Sequence, residues 1–265
     1  MRFCPIASGS SGNCIYVGSD NTHLLIDAGI SGKRIDSGIN SLELSGLDID
    51  GILITHEHVD HIAGLGVILR KYHIPVYATF NTIEAIKNYK SLGKVDEELF
   101  HPILSDEVFN IKDISVKAMK TSHDAIDPVA YTLSCGDKKV AVATDMGTYS
   151  QYTVENLKEL DAILLEANHD VRMLQVGPYP YQLKRRILGD SGHLSNETSG
   201  RLLADIAHDN LKKVILGHLS KENNMPELAY ETVRVEIEMA DNKYRANDFD
   251  ISVAKRDDIS DVIYI

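Results

Sequence analysis

The residues with the clearest chemical potential lie in one short run, Thr55-His56-Glu57-His58-Val59-Asp60-His61. Six consecutive residues of this run, His56–His61, contain three imidazoles and the Asp60 carboxylate, in addition to Glu57. Neutral imidazole and carboxylate are ligands that zinc, manganese and similar divalent ions favour. Side chains so close in sequence can surround a metal only where the backbone turns sharply. The run therefore predicts a metal site at a turn, and Glu57 is expected to face solvent.

One such run cannot complete the coordination of two metal ions, and further candidate ligands occur later in the chain. His123, Asp145 and His218 each come directly after a short strand-like run. Polar side chains at the ends of buried strands are well placed to line a site that loops build on a rigid scaffold. Each residue taken alone is equally consistent with an ordinary buried or surface position, but together with His56–His61 they predict a second group of ligands.

The elements that position these residues follow from the spacing of apolar side chains. Short runs rich in Val, Ile and Leu predict buried strands, and apolar residues three or four apart predict helices. The predicted strand regions are 2–7, 13–17, 23–27, 51–55, 75–78, 108–120, 129–144, 161–166, 213–217 and 250–265, and the predicted helices are 61–72, 82–89, 196–208 and 227–240. Strands occur both in hairpins and in alternation with helices, which predicts an α/β protein of two sheets with helices packed outside.

Composition narrows the class of protein. The 265 residues include 43% hydrophobic and 25% charged residues, close to the average for soluble globular proteins, so a disordered or fibrous chain is excluded. No apolar run approaches the ~20 residues that span a bilayer, and the first residues do not resemble an export signal. Cys4, Cys14 and Cys135 are scattered and odd in number, which favours a reducing compartment. We therefore expect a cytoplasmic protein of one domain, residues 1–265, with no membrane contact.

The metal motifs resemble, in order, those of the metallo-β-lactamase superfamily. The resemblance includes Asp27 in Leu-Ile-Asp-Ala-Gly, the His56–His61 run, His123, Asp145 and His218. Three further segments, Ala-Ser-Gly-Ser-Ser-Gly-Asn-Cys, Leu-Glu-Ala-Asn-His-Asp and Gly-His-Leu-Ser-Asn-Glu, resemble the YycJ (WalJ) group of bacterial exonucleases. The resemblance implies a four-layer αββα sandwich and a phosphodiesterase, most specifically a 5′→3′ DNA exonuclease in DNA repair.

The resemblance also implies two divalent ions, zinc or manganese with iron as a further option. One ion would be held by His56, His58, His123 and Asp145, and the other by Asp60, His61, Asp145 and His218. Asp27 would support the ligand loops, since the groups behind metal ligands orient them. A two-metal centre activates water near neutral pH to attack a phosphodiester, and Asp60 is counted with the catalytic residues as well as with the ligands.

Two more residues match positions in nuclease relatives such as ribonuclease Z. Glu166 in Leu-Glu-Ala-Asn and His193 in His-Leu-Ser stand where those enzymes have His-Glu-Ala-Thr and His-Ser-Thr motifs. By this resemblance Glu166 orients His193, and His193 donates a proton or a hydrogen bond to the phosphate. Both motifs differ from those of the relatives in some of their residues. The sequence assigns no role to His169.

The net charge of −12 disfavours broad, nonspecific coating of nucleic acid, so a polyanionic substrate needs a local basic segment. One such segment precedes His193: Tyr179, Tyr181, Lys184, Arg185 and Arg186. Aromatic rings can stack on bases while Lys and Arg contact phosphates, so this segment predicts contact with DNA ends, with RNA as the alternative. A solvated charged surface is the other interpretation of the same residues.

Rival enzymes of the same superfamily differ at identifiable places. Thioester hydrolases of the glyoxalase II type carry a Gly-His-Thr-x-Gly-His signature that is missing around His123, and the common β-lactamases have Cys where this chain has Asp145. Relatives with a β-CASP domain need more chain between Asp145 and His193 than is present. An RNA-processing nuclease and a small-molecule phosphodiesterase remain open as alternatives, as does a binding protein without catalysis.

Overall fold

The computed structural model describes all 265 residues. The strands are β1 (Arg2–Ala7), β2 (Cys14–Gly18), β3 (His23–Ile26), β4 (Gly51–Leu53), β5 (Val76–Thr79), β6 (Phe100–Ile103), β7 (Val108–Ile111), β8 (Ile114–Lys120), β9 (Val129–Cys135), β10 (Lys138–Ala143), β11 (Ala162–Glu166), β12 (Lys213–Gly217), β13 (Asp250–Val253) and β14 (Ile263–Tyr264). The α-helices are α1 (Gly32–Ser41), α2 (Val59–Ile62), α3 (Leu65–Tyr72), α4 (Phe80–Lys87), α5 (Gln151–Asn156), α6 (Val171–Val176), α7 (Tyr181–Leu188), α8 (Asn196–Ile206) and α9 (Pro226–Met239).

These elements belong to two compact units. The first unit comprises Met1–Lys120, Ala125–Asp137 and Lys255–Ile265, and the second comprises Thr121–Asp124 and Lys138–Ala254. No helix combines the length and the apolar character that a membrane-spanning segment needs.

The first unit contains a sheet in the order β14-β1-β2-β3-β4-β5-β6. The pairs from β14 to β3 are antiparallel, and the pairs from β3 to β6 are parallel. Leu25 of β3 and Ile52 of β4 are register partners and are both fully buried. Burial of each such side chain contributes about 1.5–3 kcal/mol, so this strand pair is firmly fixed. The segments that follow β3 and β4 therefore start from the same edge of the sheet.

Strands β7, β8 and β9 form an antiparallel ladder in the same unit, which confirms the hairpin predicted for 108–120. β9 also holds the chain just beyond β4. The amide of Val129 donates to the carbonyl oxygen of Thr55 at 3.0 Å, and the hydroxyl of buried Tyr131 donates to that of Ile54 at 2.8 Å. These bonds fix the backbone where the His56–His61 run begins.

The second unit is built on parallel strands in the order β13-β12-β11-β10. β11 is buried along its whole length, and β12 is buried at four of its five positions. Parallel strands covered on both faces are continuous apolar runs, which is why both strands could be predicted from sequence. The residues after β10, β11 and β12 emerge at one edge of the sheet, where ligand sites of such sheets form.

Most predicted elements are present, with ends shifted by no more than two residues, but two predictions were wrong in kind. The single helix predicted for 61–72 is divided into α2 and α3. The chain approaches Ile30 so closely at Gly64 that a Cβ there would lie 2.0 Å from the Ile30 carbonyl oxygen. The strand predicted for 250–265 is two short strands, β13 in the second unit and β14 in the first. Helices α1, α5, α6 and α7 were not predicted, because each is short or poor in apolar residues.

Candidate metal centre

The His56–His61 run lies between β4 and α2, at the turn the sequence predicts. The rings of His56 and His58 have centroids 4.6 Å apart, and those of His56 and His61 are 4.1 Å apart. His61 Nε2 is 3.5 Å from Asp60 Oδ2. The backbone therefore gathers the three imidazoles and the carboxylate into one cluster, which we call the first cluster.

Asp27 holds the first cluster from the end of β3. Its Oδ2 lies 2.7 Å from His61 Nδ1, and its Oδ1 accepts a hydrogen bond from the amide of Thr55 at 2.9 Å. The carboxylate can only accept, so Nδ1 of His61 carries the hydrogen and Nε2 has the lone pair that a metal needs. Asp27 thus lies behind His61, a candidate ligand, and its role as a support for metal binding remains a prediction.

The Thr55 hydroxyl completes this buried network. It lies 3.0–3.1 Å from both oxygens of Asp27, and within 3.0 Å of His56 Nδ1 and 3.1 Å of His61 Nδ1. Asp27, Thr55, His56 and His61 are all essentially inaccessible to solvent. A buried hydrogen-bond network of this kind fixes ring orientation, so the first cluster is organised by its own unit.

Asn13 is a supporting residue that the sequence did not single out by role. Its amide donates to the Asp60 carbonyl oxygen at 2.8 Å, and its side-chain Nδ2 lies 3.2 Å from His61 Nε2. Gly29 permits this packing, because a Cβ there would be 1.6 Å from the Asp60 carbonyl oxygen. Asn13 belongs to the opening Ser-Gly-Asn-Cys segment quoted for the family resemblance, which was the available signal.

Glu57 does not face solvent as predicted. Its Oε1 accepts a hydrogen bond from the amide of Ile126 at 2.9 Å, and its Oε2 is buried. The side chain therefore ties the first cluster to the segment that leads into β9. This bond links two loops far apart in sequence, which explains why spacing alone did not predict it.

A second group of candidate residues lies at the carboxyl ends of β10, β11 and β12, namely Asp145, Glu166 and His218. Asp145 Oδ2 is 3.4 Å from His218 Nδ1, and Asp145 Oδ1 is 3.7 Å from His123 Nε2. Together with His193 these residues form what we call the second cluster. Four ligand-type atoms, one each from Asp145, Glu166, His193 and His218, lie within 4.8 Å of one another.

Asp27, behind the first cluster, and two residues of the second cluster share an uncommon backbone conformation. Asp27, Asp145 and His218 have φ values of 63°, 58° and 55°. Left-handed conformations in residues other than glycine are strained and concentrate at functional sites. Asp27 and His218 directly follow β3 and β12, and Asp145 is the second residue after β10, so each turn points the side chain off the end of a buried strand. Asn168 supports the turn at His218, since its Nδ2 donates to the His218 carbonyl oxygen at 2.9 Å.

Glu166 is fully occupied as a hydrogen-bond acceptor. Its Oε1 lies 2.7 Å from His193 Nδ1, and its Oε2 accepts from the amides of Met146 at 2.9 Å and Leu194 at 3.2 Å. A carboxylate engaged in this way orients its partner rather than binding an ion. His193 is therefore held through Nδ1, which leaves its Nε2 unengaged by Glu166.

His123 is fixed in a similar way by the backbone. Its Nδ1 lies 3.0 Å from the carbonyl oxygen of Gly192, so Nδ1 donates and Nε2 keeps the lone pair that a metal would need. Ser122 Oγ donates to the Asp190 carbonyl oxygen at 2.6 Å. The loop that carries His123 is thus bound to the segment that ends at His193.

The predicted basic segment consists of α7 and the two residues that precede it, 179–180. Tyr181 is 74% exposed, and the Arg185 guanidinium lies 6.0 Å from its ring centroid. Lys184 Nζ donates to the Gln175 carbonyl oxygen at 2.8 Å. Arg186 differs from its neighbours because its guanidinium forms a two-point ion pair with Asp124. The segment is at the surface as predicted, but its three cations have different partners.

His169, to which the sequence assigned no role, is buried in the second unit. Its carbonyl oxygen accepts from the amide of Asn196 at 2.9 Å, and its Nδ1 is 3.3 Å from Asn168 Oδ1. Burial lowers the pKa of His169 to about 4, against the opposing effect of the Glu166 carboxylate. His169 is therefore a neutral interior residue behind the second cluster.

The donor chemistry of both clusters fits divalent cations. Each cluster offers imidazole nitrogens and carboxylate oxygens, and at His61 and His123 the far ring nitrogen is already bonded, as metal-ligating histidines require. The three cysteines are free, with Cys4 and Cys14 buried and Cys135 partly exposed. They provide no competing thiolate site.

Residues 22–219 match the family model described as the Beta-lactamase superfamily domain. This chain belongs to the β-lactamase superfamily. Two curated relatives are 42% identical to it: Exodeoxyribonuclease YycJ of Bacillus anthracis over 233 residues, 88% of each chain, and Exodeoxyribonuclease WalJ of Streptococcus pneumoniae over 241 residues, 91% of this chain and 90% of the relative. These matches confirm the predicted family and, within it, the resemblance to the YycJ (WalJ) group.

A solved superfamily structure matches over nearly the whole chain. The Zn(2+)-bound PqqB from Methylobacterium extorquens aligns with 98% of this chain and 100% of its own, at a TM-score of 0.71 and 17% identity. At that identity the likeness concerns the fold alone. The metallo-beta-lactamase fold protein YhfI from Bacillus subtilis also aligns with 98% of this chain and 99% of its own, at a TM-score of 0.68 and 17% identity. With the family match, this likeness confirms the predicted metallo-β-lactamase fold of the αββα sandwich class.

Proposed function

We propose that the protein is a two-metal phosphodiesterase that degrades DNA from 5′ ends and acts in DNA repair. The observation that carries the proposal is the Glu166–His193 contact of 2.7 Å beside Asp145 and His218, because an imidazole oriented in this way next to candidate ligands suits proton donation. The relatives named exodeoxyribonucleases support the hydrolase and exonuclease class. Polarity, the repair role and a cytoplasmic location are parts of the proposal.

We assign the metal ligands as the resemblance implies. One cation is assigned to His56, His58, His123 and Asp145, and the other to Asp60, His61, Asp145 and His218. When bound, two such cations supply an activated water and positive charge for the phosphate. Zinc and manganese both suit this donor set, and iron is the further option.

The protein's own side chains account for the remaining steps. His193, held at Nδ1 by Glu166, carries a proton on Nε2 and gives it to the departing oxygen. Asp60, whose side chain is 27% exposed, accepts a hydrogen bond from the attacking water. Asp27 keeps His61 oriented throughout, because both of its oxygens remain bonded.

The nucleic acid is proposed to lie along α7 and the segment before it. Lys184 and Arg185 contact phosphates, and Tyr179 and Tyr181 stack on bases. Aromatic and basic side chains together bind single strands and ends without sequence preference. The exposure of Tyr181 and its pairing with Arg185 support this placement over a purely solvated surface.

A panel of end-labelled oligonucleotides tests the proposal. Duplex and single-stranded DNA and RNA, labelled at 5′ or 3′ ends, are incubated with the protein and Mn²⁺ or Zn²⁺, with His193→Ala as the control for contaminating nuclease. Early release of short 5′-labelled products and gradual shortening of 3′-labelled DNA are expected. Efficient cutting of closed circular DNA would contradict end dependence. Activity confined to RNA, or to small phosphodiesters, would give the protein one of the alternative functions.

A further inference from the structure

The ion pair between Arg186 of α7 and Asp124 lies next to a candidate metal ligand. Arg186 Nε bonds Asp124 Oδ2, and Nη2 bonds Oδ1 at 3.0 Å. Asp124 Oδ1 is in turn 3.5 Å from His123 Nε2, the ring nitrogen that faces away from the Gly192 carbonyl. A carboxylate so close to this nitrogen can compete for the same cation or rotate the ring.

The geometry of the pair restricts that competition. A guanidinium that engages both carboxylate oxygens fixes the plane of the carboxylate as well as its position. His123 is held from the other side, since its Nδ1 donates to the Gly192 carbonyl at 3.0 Å. Two carboxylates approach the ligand nitrogen, Asp145 at 3.7 Å, itself assigned as a ligand, and Asp124 at 3.5 Å, which Arg186 restrains.

The chain segment that follows α7, residues 189–193, connects this helix to His193 and, through Gly192, to His123. The amide of His193 donates to the Ile187 carbonyl oxygen of α7 at 3.0 Å, and a Cβ at Gly192 would lie 2.1 Å from that oxygen. The turn after α7 is thus tightly packed. The position of α7 is set by the contact of Ile187 with His193 and by the contact of Arg186 with Asp124. A contact from α7 to Asp124 is consequently a contact to the metal-ligand loop.

We propose that Arg186 is a positioning residue for His123, acting through Asp124, whereas its neighbours Lys184 and Arg185 contact the phosphates. The inference rests on the proposed role of His123 as a metal ligand. Arg186 and Arg185 are adjacent on one helix but have different partners. Arg186 pairs with a carboxylate beside His123, and Arg185 lies over the exposed ring of Tyr181.

The test compares Arg186→Ala with Arg185→Ala, a matched loss of one guanidinium from the same helix. Mn²⁺ and Zn²⁺ binding is measured by competition with a chromogenic chelator, and the salt dependence of KM is measured on a DNA oligonucleotide. Arg186→Ala is expected to weaken the binding of one metal, the one assigned to His123, at least tenfold and to leave the salt slope unchanged. Arg185→Ala is expected to flatten the salt slope and to leave metal affinity unchanged.

Further variants show whether Arg186 acts through Asp124. Arg186→Lys, which cannot make the planar two-point contact, should give an intermediate metal affinity. The double variant Arg186→Ala/Asp124→Ala should bind metal no worse than Arg186→Ala, since the unrestrained carboxylate is then absent. The exposed pair contributes little to folding, and Arg186→Lys provides a folded comparison if the alanine variant is unstable.

Two outcomes overturn the inference and are distinguishable. Metal affinity that is normal in Arg186→Ala but lost in His123→Ala leaves the proposed function intact and shows that Arg186 does not position His123. Metal affinity that is normal in both variants removes His123 from the ligand set, so the inference fails together with the proposed centre.

Discussion

The two histidine clusters are built by different means. The first cluster comes from six consecutive residues, with Asp27 and Thr55 bonded behind them at 2.7–3.1 Å. The second draws Asp145, Glu166, His193 and His218, with His123 beside them, from distant segments. His123, His193 and His218 are each held by a different local partner. A contiguous motif needs only one well-supported turn, whereas a dispersed cluster depends on the order of parallel strands.

The two clusters also differ in the assigned role of the histidine that a buried carboxylate supports. Asp27 bonds a histidine assigned to metal binding, and Glu166 bonds a histidine assigned to proton transfer. Both are fully buried and both occupy the Nδ1 atom of their partner. Loss of Asp27 should therefore appear in metal affinity, and loss of Glu166 in the rate of chemistry.

The largest expected effect is on proton transfer in the second cluster. His193→Ala should lower kcat about 10²–10⁴-fold, the usual contribution of a positioned acid, and should retain both metals. Glu166→Gln should lower kcat in the same direction, because the amide no longer stabilises a charged imidazole. Single-turnover rates at saturating Mn²⁺ provide the measurement, and His101→Ala, an exposed residue outside both clusters, is the control. Metal loss in His193→Ala would instead make it a ligand.

The next effect sharpens the contrast between the supporting carboxylates. Asp27→Asn should weaken metal binding about 10–100-fold, as losses behind a ligating histidine do, and excess metal should restore most of kcat. Glu166→Gln should show the reverse, with normal metal affinity and a low kcat that metal does not restore. Chelator competition and rate measurements on the same samples decide between them. Identical behaviour of the two variants would remove the distinction.

The sequence predicted the first cluster almost completely because its chemistry is local. His56, His58, Asp60 and His61 could be recognised from spacing alone. His123, Asp145 and His218 could be recognised only as strand-end residues, and their ligand assignment needed the family resemblance. Contacts between distant loops were beyond prediction: Glu57 with Ile126, Asn13 with Asp60, and Arg186 with Asp124. Helix α7 was missed because only Ile187 of its eight residues is buried.

A third prediction concerns the interior behind the second cluster. The pKa of His169 is lowered to about 4 by burial, below its unfolded value of about 6.5. The unfolded chain then binds this proton more readily, so the stability from neutral His169 is complete above pH 6.5 and is lost as pH falls towards 4. Linkage gives a loss on the order of 2 kcal/mol between pH 7 and 5. Urea unfolding of the metal-free protein should show this dependence reduced in His169→Gln; an unchanged dependence would assign it to other groups.

The smallest expected effect lies on α7, outside both clusters. Lys184→Ala and Arg185→Ala should each raise KM for DNA a few-fold at moderate salt and lower the slope of log KM against log salt by about 0.7–0.9. Small chromogenic diesters should be affected much less. Lys158→Ala, which breaks only a surface pair with Glu155, controls for general loss of positive charge. Equal losses on both substrates would mean that the helix supports the centre rather than the nucleic acid.

The most direct test of the account is the number of metals that the two clusters hold together. Native mass spectrometry of protein loaded with Zn²⁺ or Mn²⁺, supported by elemental analysis, should give two ions per chain. Asp145→Ala should lose at least one of them, because Asp145 is assigned to both. A wild-type stoichiometry of one, or an Asp145→Ala variant that retains two, would contradict the shared two-metal centre.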